Sequence, residues 1–321
     1  RDGVTAEEVK GILLGMASGQ ETLLGYFRRF IRNFEKRVGI NRTVGSLRAY
    51  SNAYSHIERF LQAQYKLSDI PFSALDRSFI DKYDLYLRTE RNLAPGTIIN
   101  LTVQLKTIVG EAIADGIITA SPFMGYEPVR PKHVQKYLTA EELHRIMTTP
   151  LHRQPLYHVR DMFLFSCFTG IPYGDMRLLT KDNLCLAEDG IWWIKSARQK
   201  TKIEFEIPLL DLPLQILKKY SGTAPGDKLL PMYCNSTLNL YLKEIARICH
   251  IDRPLVFHAG RHTYATEITL SHGVPLETVS RMLGHSQIET TQIYAKVTDE
   301  KIDADTKALN RKISERFSVV I

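Results

Sequence analysis

The stretches FHAGRHTYAT (Phe257 to Thr266) and RMLGHSQIETTQIYAKVTD (Arg281 to Asp299) place His258, Arg261, His285 and Tyr294 in one order. Two histidines, an arginine and a late tyrosine are the set needed to grip and attack a phosphodiester. That bond is anionic and hydrolyses very slowly, so catalysis needs cations on the non-bridging oxygens, an aligned nucleophile and an acid for the leaving oxygen. Arg261 offers a planar fork that holds phosphate bidentately and stays charged. His258 and His285 can donate hydrogen bonds to the same oxygens or move protons, because imidazole titrates near neutrality. A tyrosine has a free pKa of about 10, so Tyr294 needs cationic surroundings to become a nucleophile. His258 and Arg261, three apart at a helix start, share a face; a second helix ends in Leu283-Gly284-His285, and Tyr294 lies nine residues on. Each residue type is common in a purely structural role, and only the combination points to a reaction.

Upstream of this constellation lies the one strong strand signal. Asp189-Gly190 reads as a turn, Ile191 to Ile194 as a strand, and Ile203 to Leu209 alternates apolar residues against Glu204 and Glu206. Between them, Ser196 to Lys202 forms a basic hairpin tip, from which Lys200 can reach into DNA and protonate a leaving sugar hydroxyl. Arg198 and Lys202 on the same tip are expected to face DNA. Everything else reads as helix. Thr139 and Glu142 form a capping box opening a helix, and helices are predicted at 156–170, 174–180, 237–249, 261–271, 275–283, 289–294 and 299–317.

Residues 6–37 also carry a helical apolar period (Val9, Ile12, Leu13, Leu23, Tyr26, Phe27, Phe30, Phe34), as do 43–65, 75–90 and 95–116. The last of these opens near a proline and closes on Gly116. This predicts a compact all-helical domain over 1–125. Its basic residues cluster at Arg28, Arg29, Arg32, Lys36, Arg37, Arg42 and Arg48, with Glu35 as the one acid among them. That run is either a solvated helix face or a surface for a polyanion. The following segment, through SPFMGYEPVRPKHVQ, has three prolines and a glycine that forbid continuous helix. It reads as a linker over 126–136, with Lys132 and Lys136 as further DNA-facing candidates, and a second domain occupies 137–321.

Composition sets the frame: 321 residues, 44% hydrophobic and 24% charged, is an ordinary globular chain long enough for two cores. A net charge of +7 fits a polyanionic partner. No apolar run approaches the roughly 20 residues of a membrane helix. Cys167, Cys185, Cys234 and Cys249 are scattered without a C-x-x-C pair, which argues for buried thiols in a reducing, cytoplasmic setting and against a zinc or disulfide framework. A metal site built on His258, His262, His272 and His285 lacks an acid or cysteine to complete it. The start, RDGVTAEEVK, has no initiator Met or signal-peptide core and is expected to be that of a fragment or processed product.

The segments HAGRHTYAT, LGHSQIETTQIY and the basic hairpin ending in IPL resemble those of the tyrosine recombinase (phage integrase) family, most closely the integrases of conjugative transposons. The resemblance covers essentially the whole chain. It implies a mainly α fold with a small β-hairpin sheet, arranged as a two-domain C-shaped DNA clamp. A SAM-like core-DNA-binding domain would precede a catalytic domain of the DNA breaking-rejoining type. It further implies a site-specific recombinase on double-stranded DNA that integrates or excises a mobile element. Tyr294 would attack the scissile phosphate to give a 3′-phosphotyrosyl link, with Arg261 on the phosphate, His258 and His285 assisting and Lys200 as general acid. Lys202 and Lys195 are weaker claimants to the lysine role. No metal, nucleotide or other cofactor is implied. The partners implied are DNA, DNA-bending accessory proteins and further copies of the chain, docked through the C-terminal tail into a tetramer. The resemblance also implies an amino-terminal arm-binding module ahead of the residues given.

One position departs from the family pattern. An arginine usually follows Thr-Gly-hydrophobic, and here Thr169-Gly170-Ile171 is followed by Pro172, whose side chain cannot bind phosphate. Arg160 and Arg177 are the candidate substitutes. Arg160 is favoured, since Val159 and Met162 place it on a helix otherwise buried at the domain centre, although it lies about 18 Å from position 172 along a straight helix. Pro172 also leaves open a catalytically weakened DNA-binding protein of the same fold.

Overall fold

A computed structural model describes residues 20–129 and 137–294, with isolated positions near the two ends. Two compact units divide the chain, residues 1–133 and 134–321. Among the described residues no helix is long and apolar enough to cross a membrane.

The first unit is built from α1 (Leu23–Glu35), α2 (Val44–Phe60), α3 (Arg77–Thr89) and α4 (Pro95–Ala114). The periodicity that suggests one helix over 6–37 is interrupted: Thr22 is extended, and α1 restarts where Asp69 accepts hydrogen bonds from the amides of Leu24 (2.8 Å) and Gly25 (3.0 Å). An aspartate from elsewhere in the chain thus caps the orphan donors of the first turn. Thr43 and Asp76 cap α2 and α3 through the amides of Ser46 and Phe79. Beyond Phe60, α2 widens into a π turn, Leu61–Tyr65, which Lys66 ends in the left-handed region. The apolar faces meet in a core around Phe27, Phe60, Phe79 and Tyr83, with Leu105 and Ile108 of α4. The predicted basic run, Arg28 through Arg48, is exposed at every one of its charges. Arg29, Arg37 and Arg42 line a cavity of about 450 Å³ with Tyr26, Phe34 and Tyr50.

In the second unit α5 (Ala140–Thr148) opens with the predicted capping box: Thr139 accepts from the Glu142 amide and Glu142 from the Thr139 amide. The central helix, α6 (Gln154–Thr169), buries Leu156, Val159, Met162, Phe163, Leu164, Phe165 and Cys167, so its apolar residues surround it instead of forming a stripe. It stops at Gly170, whose φ of +69° suits a left-handed cap. Short α7 (Tyr173–Met176) follows. Then comes an antiparallel sheet in the order β1 (Leu184–Leu186), β2 (Trp192–Ala197), β3 (Glu204–Pro208). β2 pairs with β3 through Ile194↔Ile207 and Ser196↔Phe205, which sends Phe205 and Ile207 inward and Glu204 and Glu206 outward. Strand β1 is too short, and its period too brief, to be read from sequence.

Helices α8 (Asp211–Lys219) and α9 (Asn235–Ile248) cover α6. Buried Asp161 of α6 accepts from Lys219 Nζ (2.5 Å) and the Tyr220 hydroxyl (2.9 Å). α10 (Ala259–Thr263) also packs on α6 and runs into a π turn, Tyr264–Thr269; α11 (Leu276–Met282) and α12 (Glu289–Gln292) complete the described part. The approach of α10 to α6 is close enough to require glycine: a Cβ on Gly260 would lie 2.8 Å from Ser166 Oγ. Cys167 and Cys249 are buried as expected, but Cys234 is exposed. It stands at the N-terminus of α9, where its Sγ meets the Ser236 and Thr237 hydroxyls. Within the predicted C-terminal helix Thr306, Lys307, Leu309, Asn310, Arg311 and Ile313 are described and are helical; its other residues, the tail, and Lys132 and Lys136 of the linker lie outside the described residues.

Candidate active site

α10 begins directly after His258 and turns Arg261 inward, to 3% exposure. Its guanidinium donates to Gly170 O (2.9 Å) and Leu283 O (2.6 Å), and its Nη2 lies 2.9 Å from His285 Nε2. It thereby ties the end of α6 to the turn after α11. Burial first, and then the neighbouring positive charge of Arg198, lower its pKa to about 10, so it stays cationic at neutral pH.

His285 is set by the left-handed Gly284 (φ +64°) at the end of α11. Burial, and then the charges of Arg261 and Arg198, push its pKa down to about 4, and it is neutral at pH 7. Tyr294 is buried to 7% exposure. Its ring stacks parallel to His285 at 6.3 Å and meets the edge of His262 at 5.0 Å. Burial raises the phenol pKa, while Arg261, through charge and hydrogen bond, and Arg198 pull it down. Burial outweighs them, and the net shift is upward.

His258 is exposed beside His262, with ring centroids 4.9 Å apart. Arg261, His285 and Tyr294 therefore form one connected cluster, and His258 joins it through His262. The edge-on placement of His262 against the tyrosine is invisible in the spacing alone, because a residue adjacent to Arg261 ordinarily points elsewhere.

The hairpin brings a second guanidinium to this cluster, and it is Arg198. Its Nε lies 3.0 Å from Asp175 Oδ2, in an ion pair whose side chains are 17% and 5% exposed. Its Nη1 is 3.5 Å from Leu283 O, the carbonyl that Arg261 also uses. Gly284 makes room, since a Cβ there would sit 2.9 Å from Arg198 Cγ. Asp175 Oδ1 also accepts from the Gln199 amide (2.8 Å), so the base of the hairpin is clamped to α7, three residues past Pro172. Sequence reading placed Arg198 on the DNA-facing tip; no spacing signals a partner so distant along the chain.

The other predicted residues fall elsewhere. Arg160 points to the end of α5, donating to Thr149 O (3.1 Å) and lying over the Tyr157 ring at 4.8 Å. Its described contacts are not with the Arg261 cluster. Arg177 is exposed at the end of α7. Lys200 and Lys202 are exposed on the hairpin, Lys202 with φ +60°. Lys195 is paired along the sheet with Glu206 at 3.4 Å.

A model described as "Phage integrase family" matches residues 136–301, and one described as "Phage integrase SAM-like domain" matches residues 22–128. The chain belongs to the phage integrase family. Among its relatives are the tyrosine recombinase XerD of Listeria monocytogenes, 26% identical over 80% of this chain and 89% of that protein, and XerD of Staphylococcus saprophyticus, 26% identical over 88% and 96%. This integrase fold is shared with the Tn1549 transposon integrase in complex with transposon right end DNA (TM-score 0.69, 18% identity, 90% of this chain and 99% of that one). It is shared equally with a lambda integrase dimer bound to a COC′ core site (TM-score 0.70, 18% identity, 87% and 100%).

Proposed function

We propose that the chain is a site-specific DNA recombinase of the integrase type, which moves a mobile element by cutting and rejoining strands through a tyrosine. The observation that carries this reading is the connected cluster of Arg261, His285 and Tyr294, with Arg198 beside it. Tyr294 gives up its phenol proton to a histidine of the site as its Oη attacks the phosphorus of the scissile diester; the bond to the 5′ oxygen breaks, leaving a 3′-phosphotyrosyl link and a 5′ hydroxyl. The leaving oxygen takes its proton from Lys200, which stands exposed at the hairpin tip. Attack by the hydroxyl of a partner strand reverses these steps and releases the phenol. The energy of the phosphodiester is kept in the link, so the residues need no external energy source.

Arg261 and Arg198 together hold the non-bridging oxygens, and Arg198 occupies the role of the arginine missing at Pro172, in place of Arg160. His258 and His285 supply hydrogen bonds and proton transfer. Residues 1–125 bind the duplex through Arg28, Arg29, Arg32, Lys36, Arg37, Arg42 and Arg48, with Lys132, Lys136 and Lys202 adding phosphate contacts. Such contacts release counterions and make affinity fall steeply with salt. The C-terminal tail joins protomers in a tetramer on DNA within the cytoplasm, assisted by DNA-bending proteins.

A nicked suicide DNA substrate tests the reading. A covalent protein–DNA species should accumulate with the wild type and vanish in Tyr294→Phe. Pro172 supports one competing reading, a DNA-binding protein weakened in catalysis, and a wild type that binds the substrate without forming that species would establish it.

A further inference from the structure

The fork of Arg261 and the ring of His285 fix more than a distance. A guanidinium has donors only, so the 2.9 Å contact between Arg261 Nη2 and His285 Nε2 requires an unprotonated Nε2. The single proton of the neutral ring therefore sits on Nδ1. There it meets the hydroxyl of Thr291, on α12, at 2.8 Å. Thr291 is fully buried, at 0% exposure, three residues before Tyr294 and on the turn that delivers it. A hydroxyl in that place has no solvent to exchange partners with, and its oxygen is the acceptor for Nδ1–H.

We propose that Thr291 is a positioning residue of the strand-transfer site, its hydroxyl accepting from His285 Nδ1–H at rest and donating to a bare Nδ1 when Nε2 must donate to phosphate. The inference rests on the recombinase reading and deepens it. With a phosphate in the Arg261 fork, His285 Nε2 faces an anionic oxygen and is useful only as N–H. The ring then carries its proton on Nε2, and Nδ1 becomes the acceptor. One proton leaves Nδ1 and one arrives at Nε2 by exchange with water as the site opens, so the ring's charge is unchanged. A hydroxyl, with one proton and two lone pairs, serves both tautomers by rotating about one bond. A carboxylate could not donate, and an amide would have to turn its whole plane over to change role, whereas in Thr or Ser one oxygen both accepts and donates. Because Thr291 shares α12 with the approach to Tyr294, the same contact also ties the orientation of the imidazole to that of the nucleophile.

The test uses the full chain labelled with ¹⁵N-histidine. Long-range ¹H–¹⁵N correlation at neutral pH should show His285 with an unprotonated Nε2 and a protonated Nδ1, in the wild type and in Thr291→Ser. In Thr291→Val the tautomers should mix, and the rate of covalent complex formation at saturating nicked DNA should fall about tenfold to a hundredfold, with DNA affinity unchanged. Thr291→Ser should restore the rate. A wild-type His285 protonated on Nε2, or a Thr291→Val protein that folds and cleaves at the wild-type rate, overturns the proposal. If the valine variant fails to fold, the wild-type spectrum and the serine variant still decide it. A wild type that shows the predicted tautomer yet forms no covalent species refutes the recombinase reading and not the positioning.

Discussion

Replacing Arg198 with alanine removes one of two guanidinium groups that converge on Leu283 O. Deleting one preorganised donor from a site that stabilises developing negative charge costs about 10²–10³ in rate, or about 3–4 kcal/mol. The same substitution strips Asp175, 5% exposed at its side chain, of its ion partner, and an uncompensated buried charge destabilises a fold by about 3 kcal/mol or more. The two effects separate in the double variant Arg198→Ala/Asp175→Asn. Asparagine keeps the Oδ1 that accepts from the Gln199 amide and removes the unpaired charge, so stability should recover while cleavage stays low. The assay is single-turnover formation of covalent complex on nicked DNA, with urea unfolding run in parallel. Arg160→Ala, which loses carbonyl contacts on α5, should cut at close to the wild-type rate once folded. A double variant that cleaves like the wild type, or a folded Arg160→Ala protein as impaired as the Arg198 variant, refutes the assignment.

Gly260→Ala should place a Cβ 2.8 Å from Ser166 Oγ and 3.3 Å from the Cys167 amide, overpacking the α6–α10 contact by about 1–3 kcal/mol. Because α10 carries Arg261, cleavage should fall more than the unfolding midpoint predicts, and equal losses in both would count against a role in placing the arginine. The pKa of His285 gives a pH dependence: it moves from 6.5 in the unfolded chain to about 4 in the fold, so the unfolded state binds more protons between those values. Stability present above pH 6.5 should therefore drain away as pH falls towards 4, by at most about 3 kcal/mol at 1.36 kcal/mol per unit and nearer about 2 kcal/mol with partial solvent screening. Urea midpoints of wild type and His285→Gln at pH 7 and 5 measure it, and an unchanged slope in the variant would remove His285 as the cause.

The local signals were the legible ones. Thr139 with Glu142 announced α5, Gly170 the end of α6, and the alternation around Glu204 and Glu206 the strand β3, because each depends on residues a few positions apart. The cluster of Arg261, His285 and Tyr294 was legible for a similar reason: its spacings within the last third of the chain follow from two short helices and the turn between them. The apolar period continues through Thr22, where the chain is extended, and does not show where α1 begins, because the residue that caps it, Asp69, is remote in sequence. Arg160 ends at the Thr149 carbonyl and the Tyr157 ring, a placement that burial of its neighbours does not reveal, because it says nothing about where a long side chain ends.

What the chain determined by itself was the set of reactive groups, the helical periods that carry them and the net positive charge of +7. Which cations share a carbonyl was decided only in three dimensions. Arg198 reaches Leu283 because Asp175 clamps the hairpin to α7 and Gly284 leaves the space of a missing Cβ. The protonation states followed the same rule. Burial and two neighbouring guanidinium groups hold His285 neutral and set Tyr294 between opposing pulls, and neither burial nor distance is encoded at any one position of the sequence.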